Sequence, residues 1–299
     1  MPDNRSFLDT KVNARLARLT LRPRGLVEGS FSGMHKSPHR GASVEFAEYR
    51  KYVKGDDIRH IDWRAYARTD RIYLKEFEAD THLRCYLVVD CSGSMGFAGD
   101  HGSKLDYARK LAATLAWLVV HQGDHVGIQL VTDEATTDIP PRGKPSHLRH
   151  IFDSLAGASV GGPTSLVENL HALAESIRKR AMVVVISDFY TEVPPLLDCF
   201  QHLRHRKHDV AAFHLLDPQE LRFEFARPVR FADMEGGEAV IAEPTLIREQ
   251  YLHAIHYYLD EMKRGCGQFD VDYHAVHIDT PYDRALSDFL LQRLARKNG

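Results

Sequence analysis

The sequence predicts an α/β fold with a doubly wound, mainly parallel sheet over residues 83–299. Two observations support this prediction. Short runs rich in β-branched residues alternate with longer segments whose apolar residues recur at helical spacing. The first run, CYLVVD, is apolar almost throughout, as is typical of a parallel strand buried on both faces. Because such strands are connected through helices, helices should cover both faces of the sheet.

The two patterns assign strands and helices along the whole of this domain. In chain order they are the strand CYLVVD, the helix KLDYARKLAATLAWLVVHQ, the strand HVGIQLV, the helices SHLRHIFDSLA and TSLVENLHALAESIRKR, the strand MVVVIS, the helix PPLLDCFQHLRHR, the strand DVAAFHLL, the helix PTLIREQYLHAIHYYLDEMKR, the strand FDVDYHAVH and the helix YDRALSDFLLQRLARK. Ligands of doubly wound folds bind at the carboxyl ends of the strands. Functional side chains should therefore directly follow the apolar runs.

The N-terminal part of the chain, residues 1–82, shows a different pattern. It opens with a short helical segment, FLDTKVNARLARL, and then becomes rich in Gly, Ser and Pro. Two strand-like segments follow, VEFAEYRKYV and RIYLKEFEA, without a long helix between them. We therefore expect a small β-rich appendage ahead of the main domain.

Composition and charge limit the classes of partner. The 299 residues include 39 Lys and Arg against 41 Asp and Glu, a net charge of −2. Nucleic acids and anionic membranes favour basic surfaces, so neither is expected as the main partner. The cysteines, Cys85, Cys91, Cys199 and Cys266, lie far apart and predict reduced thiols rather than disulfides or a zinc site.

Hydropathy predicts a cytoplasmic protein. The longest apolar run, residues 111–120, is too short to span a bilayer, so no membrane span is expected. The N-terminal segment MPDNRSFLDTK contains no apolar signal core.

Small oxygen-bearing side chains follow the predicted strands at the positions where a ligand site is expected. They are Asp90, Ser92 and Ser94 in DCSGS, Thr164 in GGPTSL and Asp188 in ISDFY. All are hard oxygen donors, suited to Mg²⁺, Mn²⁺ or Ca²⁺ rather than to zinc. An ion held by only two carboxylates keeps residual positive charge and an open coordination position. Such an ion would attract one further carboxylate from outside the chain.

The order DxSxS, then Thr, then Asp, each after a predicted strand or opening a helix, resembles the metal-ion-dependent adhesion site of the von Willebrand factor A family. This resemblance implies a Rossmann-like fold and a protein-binding module. It also implies that the hydroxyls of Ser92, Ser94 and Thr164 contact the ion, with Asp90 and Asp188 acting directly or through water. The partner would supply a carboxylate ligand to the metal.

A second resemblance covers the segment HKSPHRGASVEFAEYRKYVKGDDIRHIDWRAYARTDRIYLKEFE and the closing AVHIDTPYDRALSDFLLQRL. The pattern R-x-Y-x-x-G-D-D-x-R-x-I-D-W ahead of a von Willebrand A-type domain is similar to the DUF58 family. This similarity implies a MoxR-type AAA+ ATPase as partner. The chain would then be the adaptor in a chaperone-like assembly, activation or metal-insertion step on client proteins.

Two other functions remain open. A metal-dependent hydrolase would use the same ion, and His101 is the nearest general-base candidate in the sequence. Alternatively the domain is purely structural, and Asp90 and Ser92 only cap the following helix. A phosphatase of the haloacid dehalogenase type would need a second acid two residues after Asp90, where this chain has Ser92. We therefore predict a binding protein and not an enzyme.

Histidine is abundant, with 18 residues, and two helical segments carry closely spaced groups of it. These groups are His202, His205 and His208 in one segment and His253 and His256 in another. Paired imidazoles would bind a transition metal, whereas histidines among arginines, as in QHLRHRKH, are typical of a solvated surface. We favour the solvated surface.

Overall fold

A computed structural model describes residues 9–23, 45–53, 56, 58, 61–78, 82–133, 136–225, 227–237 and 239–295. The chain divides into two compact units. The larger unit combines residues 1–25 with residues 83–299, and the smaller unit comprises residues 26–82.

Within the described residues, the secondary structure alternates as the sequence predicts. The helices are α1 (Thr10–Leu16), α2 (Trp63–Thr69), α3 (Lys104–His121), α4 (Pro145–Gly157), α5 (Leu166–Ser176), α6 (Val193–His205), α7 (Pro218–Arg222), α8 (Pro244–Gln268) and α9 (Tyr282–Ala295). The strands are β1 (Glu45–Lys51), β2 (Tyr73–Glu78), β3 (Arg84–Asp90), β4 (Ala98–Gly99), β5 (Gly102–Ser103), β6 (His125–Val131), β7 (Thr136–Arg142), β8 (Met182–Ser187), β9 (Asp209–Leu216), β10 (Val229–Phe231), β11 (Val240–Ala242) and β12 (Asp272–His277).

The centre of the larger unit is a sheet with the strand order β12-β9-β8-β3-β6-β7. Neighbouring strands from β12 to β6 pair in parallel, and only β7, at the edge, runs antiparallel. The predicted doubly wound, mainly parallel sheet is therefore confirmed. The antiparallel β7, TTDIPPR, was not predicted because its two prolines argue against a strand. An edge position tolerates them, since one side of an edge strand needs no partner.

The strands are buried on both faces because successive side chains point to opposite sides. In β3, Cys85, Leu87 and Val89 join the core beneath α3, α4 and α9, while Val88 joins the core beneath α5, α6 and α8. The strand β8 alternates in the same way, with Val184 on the first face and Val185 on the second. This double burial is the physical reason why the strands read as nearly continuous apolar runs.

The connections of β3 create the switch point of the sheet. From β3 the chain passes to its neighbour β6 on one side and only later returns to its neighbour β8 on the other. Successive connections therefore lead away from β3 in opposite directions, which opens a crevice at the carboxyl ends of β3 and β8. Asp90 ends β3, and Asp188 directly follows β8. The two carboxylates predicted to hold a metal thus stand at the two sides of this crevice.

The first helix belongs to the larger unit, which corrects the predicted boundary between residues 82 and 83 for the N-terminal segment. Leu16 and Leu21 are buried in the core beneath α3 and α9. The backbone N–H of Leu21 donates to Oε1 of Gln122 at 2.9 Å. The prediction failed here because an amphipathic segment of seven helical residues does not reveal which surface it covers.

The smaller unit contains an antiparallel pair, β1 and β2, joined through α2. Asp62 caps the N-terminus of α2, accepting hydrogen bonds from the backbone N–H groups of Arg64 at 2.9 Å and Ala65 at 3.1 Å. Gly55, Asp57 and Arg59 of the R-x-Y-x-x-G-D-D-x-R motif lie outside the described residues.

None of the helices in the described ranges combines the length and the apolar character needed to cross a membrane.

Candidate metal centre and adjoining cavity

The loop after β3 is folded tightly at the carboxyl edge of the sheet. The backbone N–H of Ser92 donates to Oδ1 of Asp90 at 2.9 Å, and Gly93–Gly96 form a short 3₁₀ turn. A Cβ at Gly93 would lie 1.9 Å from the backbone oxygen of Met234. Glycine is therefore required at position 93, because the backbone following β10 passes directly over this loop.

A second loop brings Thr164 to the same place. The backbone N–H of Gly93 donates to the oxygen of Gly162 at 2.9 Å, and the N–H of Gly161 donates to the oxygen of Cys91 at 3.1 Å. Gly162 has a φ of +66°, in the left-handed region that favours glycine. These two hydrogen bonds hold the loop that carries Thr164 against the DCSGS loop.

All five residues of the predicted site are brought together by these loops. The hydroxyls of Ser92 and Ser94 lie 3.1 Å apart, and that of Ser94 also donates to Oδ1 of Asp188 at 3.1 Å. The Thr164 hydroxyl donates to Oδ2 of Asp90 at 3.4 Å. We call Asp90, Ser92, Ser94, Thr164 and Asp188 the hydroxyl–carboxylate cluster. Its contacts span two loops and two strand ends, which helix capping alone would not require.

The two carboxylates of the cluster are almost removed from solvent, with Asp90 1% and Asp188 7% exposed. Burial and, secondarily, the charge of Asp188 raise the pKa of Asp90 to about 6, partly opposed by hydrogen bonds from Ser187 and Ser92. The Ser187 hydroxyl donates to Oδ2 of Asp90 at 2.6 Å. Two neighbouring buried carboxylates are costly without a cation.

The backbone after Asp188 is held in an unusual conformation. Phe189 is fully buried with a φ of +49°, in the left-handed region that a bulky residue rarely adopts. Its N–H donates to the hydroxyl of Ser187 at 2.7 Å, and its carbonyl accepts a hydrogen bond from the hydroxyl of Tyr258. The surrounding contacts thus fix this strained residue and, with it, the direction of the Asp188 side chain.

A buried lysine adjoins the cluster and was missed by the sequence analysis. Lys104, 2% exposed, donates to Oδ2 of Asp188 at 2.8 Å and to Oε1 of Glu220 at 2.5 Å. Burial alone would lower the pKa of Lys104, but the charges of Asp188 and Glu220 outweigh it and raise that pKa. Burial raises the pKa of Glu220, partly opposed by Lys104. Asp188 therefore shares one oxygen with Lys104 and offers the other to the cluster.

Glu220 had a local signal in the sequence. Asp217 and Glu220 form a capping box at the start of α7, in which Oε2 of Glu220 accepts from the N–H of Asp217 at 2.9 Å. The string DPQE, directly after the predicted strand DVAAFHLL, fits this signature. Lys104 carried no such signal, because its partners lie 84 and 116 residues away.

The donors of the cluster fit a hard divalent cation. They are carboxylate and hydroxyl oxygens, the ligands preferred by Mg²⁺, Mn²⁺ and Ca²⁺. In the part of the chain that the structure describes, no group of three or more His, Cys, Asp and Glu has the arrangement of a metal site. An ion held here would therefore depend on the hydroxyls and on solvent or an added ligand to complete its coordination.

A cavity of about 830 Å³ opens beside the cluster and includes Ser94 and Asp188 in its wall. Lys104, Glu220 and His214 also line it. Burial lowers the pKa of His214 to about 4, although the charge of Asp188 opposes this shift. Nδ1 of His214 lies 2.7 Å from the hydroxyl of Tyr273, and the ring also hydrogen-bonds the backbone of Asp188. His214 is thus held as a neutral, fully engaged side chain.

The histidines His202 and His208, which the sequence analysis placed in one group, have different partners. Nδ1 of His202 lies 3.1 Å from Nδ1 of His171 on α5. Nε2 of His202 lies 2.9 Å from Oε1 of Glu175. His208 instead accepts a hydrogen bond from the N–H of Ala181 at 3.2 Å and is buried, contrary to the expected solvated surface. His101 lies in the exposed turn between β4 and β5.

The chain is similar in sequence to members of one protein family. Residues 48–257 match the family described as "Protein of unknown function DUF58". The "Uncharacterized protein Rv1480" of Mycobacterium tuberculosis is 30% identical over 270 residues, which cover 87% of this chain and 83% of that protein.

Two solved structures show weak similarity to part of the chain. "Conserved hypothetical protein BatB" from Bacteroides thetaiotaomicron is 14% identical with a TM-score of 0.46, covering 72% of this chain and 99% of that one. The "SpRpn10 VWA domain" is 10% identical with a TM-score of 0.40, covering 71% and 95%.

Proposed function

We propose that this chain, which belongs to the DUF58 family, is a divalent-cation-dependent protein-binding module with a von Willebrand factor A-like fold. The observation that carries the proposal is the convergence of two carboxylates and three hydroxyls at the switch point of the sheet. Hydrogen bonds of 3.1 to 3.4 Å connect the side chains of this cluster. We infer that Mg²⁺ or Mn²⁺ occupies it.

The charges around the cluster support a requirement for one divalent cation. Asp188 and Glu220 share a single ammonium group, that of Lys104, and Asp90 lies next to Asp188, whose charge adds to the effect of burial in raising the pKa of Asp90. Two negative charges thus remain in a largely buried environment, and one divalent cation neutralises them. Burying these two charges without a counter-charge would lower the free energy of unfolding by about 3–5 kcal/mol.

An ion in this position captures a carboxylate from a partner. Its hydroxyl ligands are uncharged, so it keeps an affinity for one more anionic oxygen on the side open to solvent. An Asp or Glu side chain of another protein supplies that oxygen. The interaction depends on the metal because the partner's carboxylate would otherwise be buried next to Asp90 and Asp188.

The partner we propose is a MoxR-type AAA+ ATPase or its client protein, in line with the DUF58 resemblance. In this scheme the ATPase does the work of assembling, activating or loading metal into other proteins. The present chain serves as the adaptor that selects the protein to be acted on.

Catalysis is not part of this proposal. A hydrolase would need a general base within hydrogen-bond reach of a metal-bound water. The candidate in the cavity, His214, has a pKa of about 4 and is engaged by Tyr273 and the backbone of Asp188. Glu220 is committed to Lys104 and to the capping box of α7.

The experiment is a binding measurement by surface plasmon resonance. A MoxR-type ATPase from the same organism is passed over the immobilised chain with Mg²⁺ or with EDTA, for wild type and for Asp90→Ala. We expect wild type to bind in the presence of Mg²⁺. In the other three conditions the affinity should fall by about thirty-fold or more, as it does when one member of a buried interface charge pair is truncated. Equal affinity in all four conditions would show that the cluster is not the binding surface.

A further inference from the structure

The cavity beside the hydroxyl–carboxylate cluster is mainly lined by large apolar and aromatic side chains. Phe97, Phe189, Phe231, Tyr251 and Tyr258 all contribute to its wall. Its volume of about 830 Å³ greatly exceeds the room that one bulky side chain needs. Because Ser94 and Asp188 belong to both, the cavity and the cluster form one continuous depression.

Aromatic packing gives the cavity a fixed shape on the side of α8. The ring of Tyr251 stacks on that of Phe223 with centroids 4.2 Å apart. Phe223 in turn stacks on Phe231, with centroids 5.5 Å apart. Stacked rings of this kind hold one another in place, so the wall is formed before a ligand arrives.

The mouth of the cavity carries exposed apolar side chains. Tyr190 is 66%, Met234 45% and Val240 60% exposed, and all three line the cavity. Exposed apolar side chains grouped around a cavity are typical of an interaction surface. A partner that covered them would also close the depression above Asp188.

We propose that this cavity receives a bulky apolar side chain of the partner, close in sequence to the acidic residue that binds the ion. The inference rests on the proposed function and specifies the partner's chemistry. The partner would present an Asp or Glu together with a neighbouring Phe, Tyr, Trp, Leu or Ile.

The charges at the base of the cavity favour an uncharged occupant over a basic one. Lys104 already neutralises Glu220 through its hydrogen bond of 2.5 Å. The metal would neutralise Asp188 and Asp90. These groups then leave no net charge at the base of the cavity. The other acidic residues of the lining are Glu192 and Asp233, which are exposed, and Glu235, which is half-buried. At the base, an apolar group therefore gains from burial against the aromatic wall.

The test uses small carboxylates as probes, with binding followed by NMR in the presence of Mg²⁺. Acetate is compared with 3-phenylpropionate, 4-phenylbutyrate and 6-phenylhexanoate, whose phenyl groups reach increasing distances from the carboxylate. We expect at least one phenyl-bearing acid to bind about tenfold or more tightly than acetate, because burying a phenyl group from water contributes enough binding free energy for this difference. The amine 4-phenylbutylamine should not compete.

Two variants separate the cavity from the metal. Ala254→Trp places an indole on a residue that lines the cavity, on α8. It should abolish the advantage of the phenyl acids and leave acetate binding unchanged. His253→Trp, its neighbour outside the cavity lining, should bind all probes as wild type does.

The outcomes distinguish this inference from the proposed function. If no carboxylate binds in a Mg²⁺-dependent manner, the proposed function fails. If acetate and every phenyl acid bind equally well with Mg²⁺, the metal site stands and the cavity is not a subsite. Binding of 4-phenylbutylamine that Ala254→Trp abolishes would show that the cavity accepts a basic group, and would overturn the inference.

Discussion

Two buried ionic clusters lie at opposite ends of the same parallel sheet, and they are balanced differently. At the amino ends of β9 and β12, Asp209 and Asp272 face one arginine, Arg293 of α9. At the carboxyl ends of β3 and β8, Asp188 shares Lys104 with Glu220, and Asp90 accepts hydrogen bonds from uncharged groups of Ser92 and Ser187. At the amino end two carboxylates share one arginine, whereas at the carboxyl end three carboxylates, those of Asp90, Asp188 and Glu220, are accompanied by one lysine.

The amino-end cluster shows what internal compensation achieves. The guanidinium group of Arg293 donates to Oδ2 of Asp272 at 3.0 Å and to Oδ2 of Asp209. Its Nε donates to the backbone oxygen of Arg22 at 2.8 Å, which also ties the segment after α1 to α9. The three charged side chains are 1–3% exposed. Such a network holds elements together but offers nothing to a ligand.

The difference between the two clusters supports the position of the site in the proposed function. Both ends bury carboxylates, so burial alone does not mark a site. The carboxyl end is distinguished by hydroxyl groups that are coupled to its carboxylates and by an open cavity beside them. In the proposed function, an external cation supplies at the carboxyl end the positive charge that Arg293 supplies at the amino end.

The largest effect is expected from removing the cation of the amino-end cluster. Arg293→Met leaves Asp209 and Asp272 without their arginine, which for a buried pair typically costs about 3–5 kcal/mol in the free energy of unfolding. Urea denaturation measures this loss. Arg206→Met, which breaks an exposed pair with Glu175, should change stability little. Similar stabilities of the two variants would contradict the structural role of Arg293.

The corresponding change at the carboxyl end is Lys104→Met. Without metal, we expect the free energy of unfolding to fall by about 2–4 kcal/mol, because Asp188 and Glu220 lose their shared counter-charge. Mg²⁺ should restore part of it and should raise the melting temperature of this variant more than that of wild type, since a competing positive charge has been removed. Lys110→Met on the same helix is the control. A Mg²⁺ response equal to that of wild type would separate Lys104 from the metal site.

A smaller, pH-dependent effect is expected at the amino end. Burial first, and then Arg206 and Arg180, lower the pKa of His208 to about 4. An unfolded chain protonates histidine near pH 6.5, roughly its unperturbed pKa. Between these values the unfolded state binds more protons, so stability falls as the pH drops through this window.

The variant His208→Asn tests this contribution, because an asparagine oxygen can still accept the hydrogen bond from Ala181. Between pH 7 and pH 4.5, wild type should lose about 1–3 kcal/mol more than the variant, given about 1.4 kcal/mol per unit of pKa shift. Urea denaturation at several pH values provides the measurement. His253→Asn, at an exposed position on α8, should follow wild type. Parallel curves for His208→Asn and wild type would rule this contribution out.

Much of the fold was predictable because its signals are local. The strands of the main sheet are apolar on both faces, so CYLVVD and MVVVIS could be assigned without any knowledge of their neighbours. Asp90, Ser92 and Ser94 follow the first of these strands directly, and the rule for doubly wound sheets places them at the crevice. Asp188 joins them because β8 neighbours β3 in the sheet, whereas Thr164 is held there by hydrogen bonds between its loop and the DCSGS loop.

What could not be predicted depends on contacts between distant residues. Lys104 looked like an ordinary first residue of a helix, and only the folded chain brings it between Asp188 and Glu220. The docking of α1 is likewise decided by Arg293 and Gln122, far along the chain. The hairpin of β10 and β11 is too short for periodicity to reveal, although the connection between its strands places Met234 over Gly93.

The central claim is that the hydroxyl–carboxylate cluster binds a divalent cation, and calorimetric titration with Mg²⁺ and Mn²⁺ tests it most directly. Wild type and the matched control Ser165→Ala, whose hydroxyl donates to the backbone of Thr132 outside the cluster, should each bind one ion. The double variant Ser92→Ala, Asp188→Ala should remain folded by circular dichroism and give no binding heat. Equal cation binding by wild type and this double variant would contradict the account.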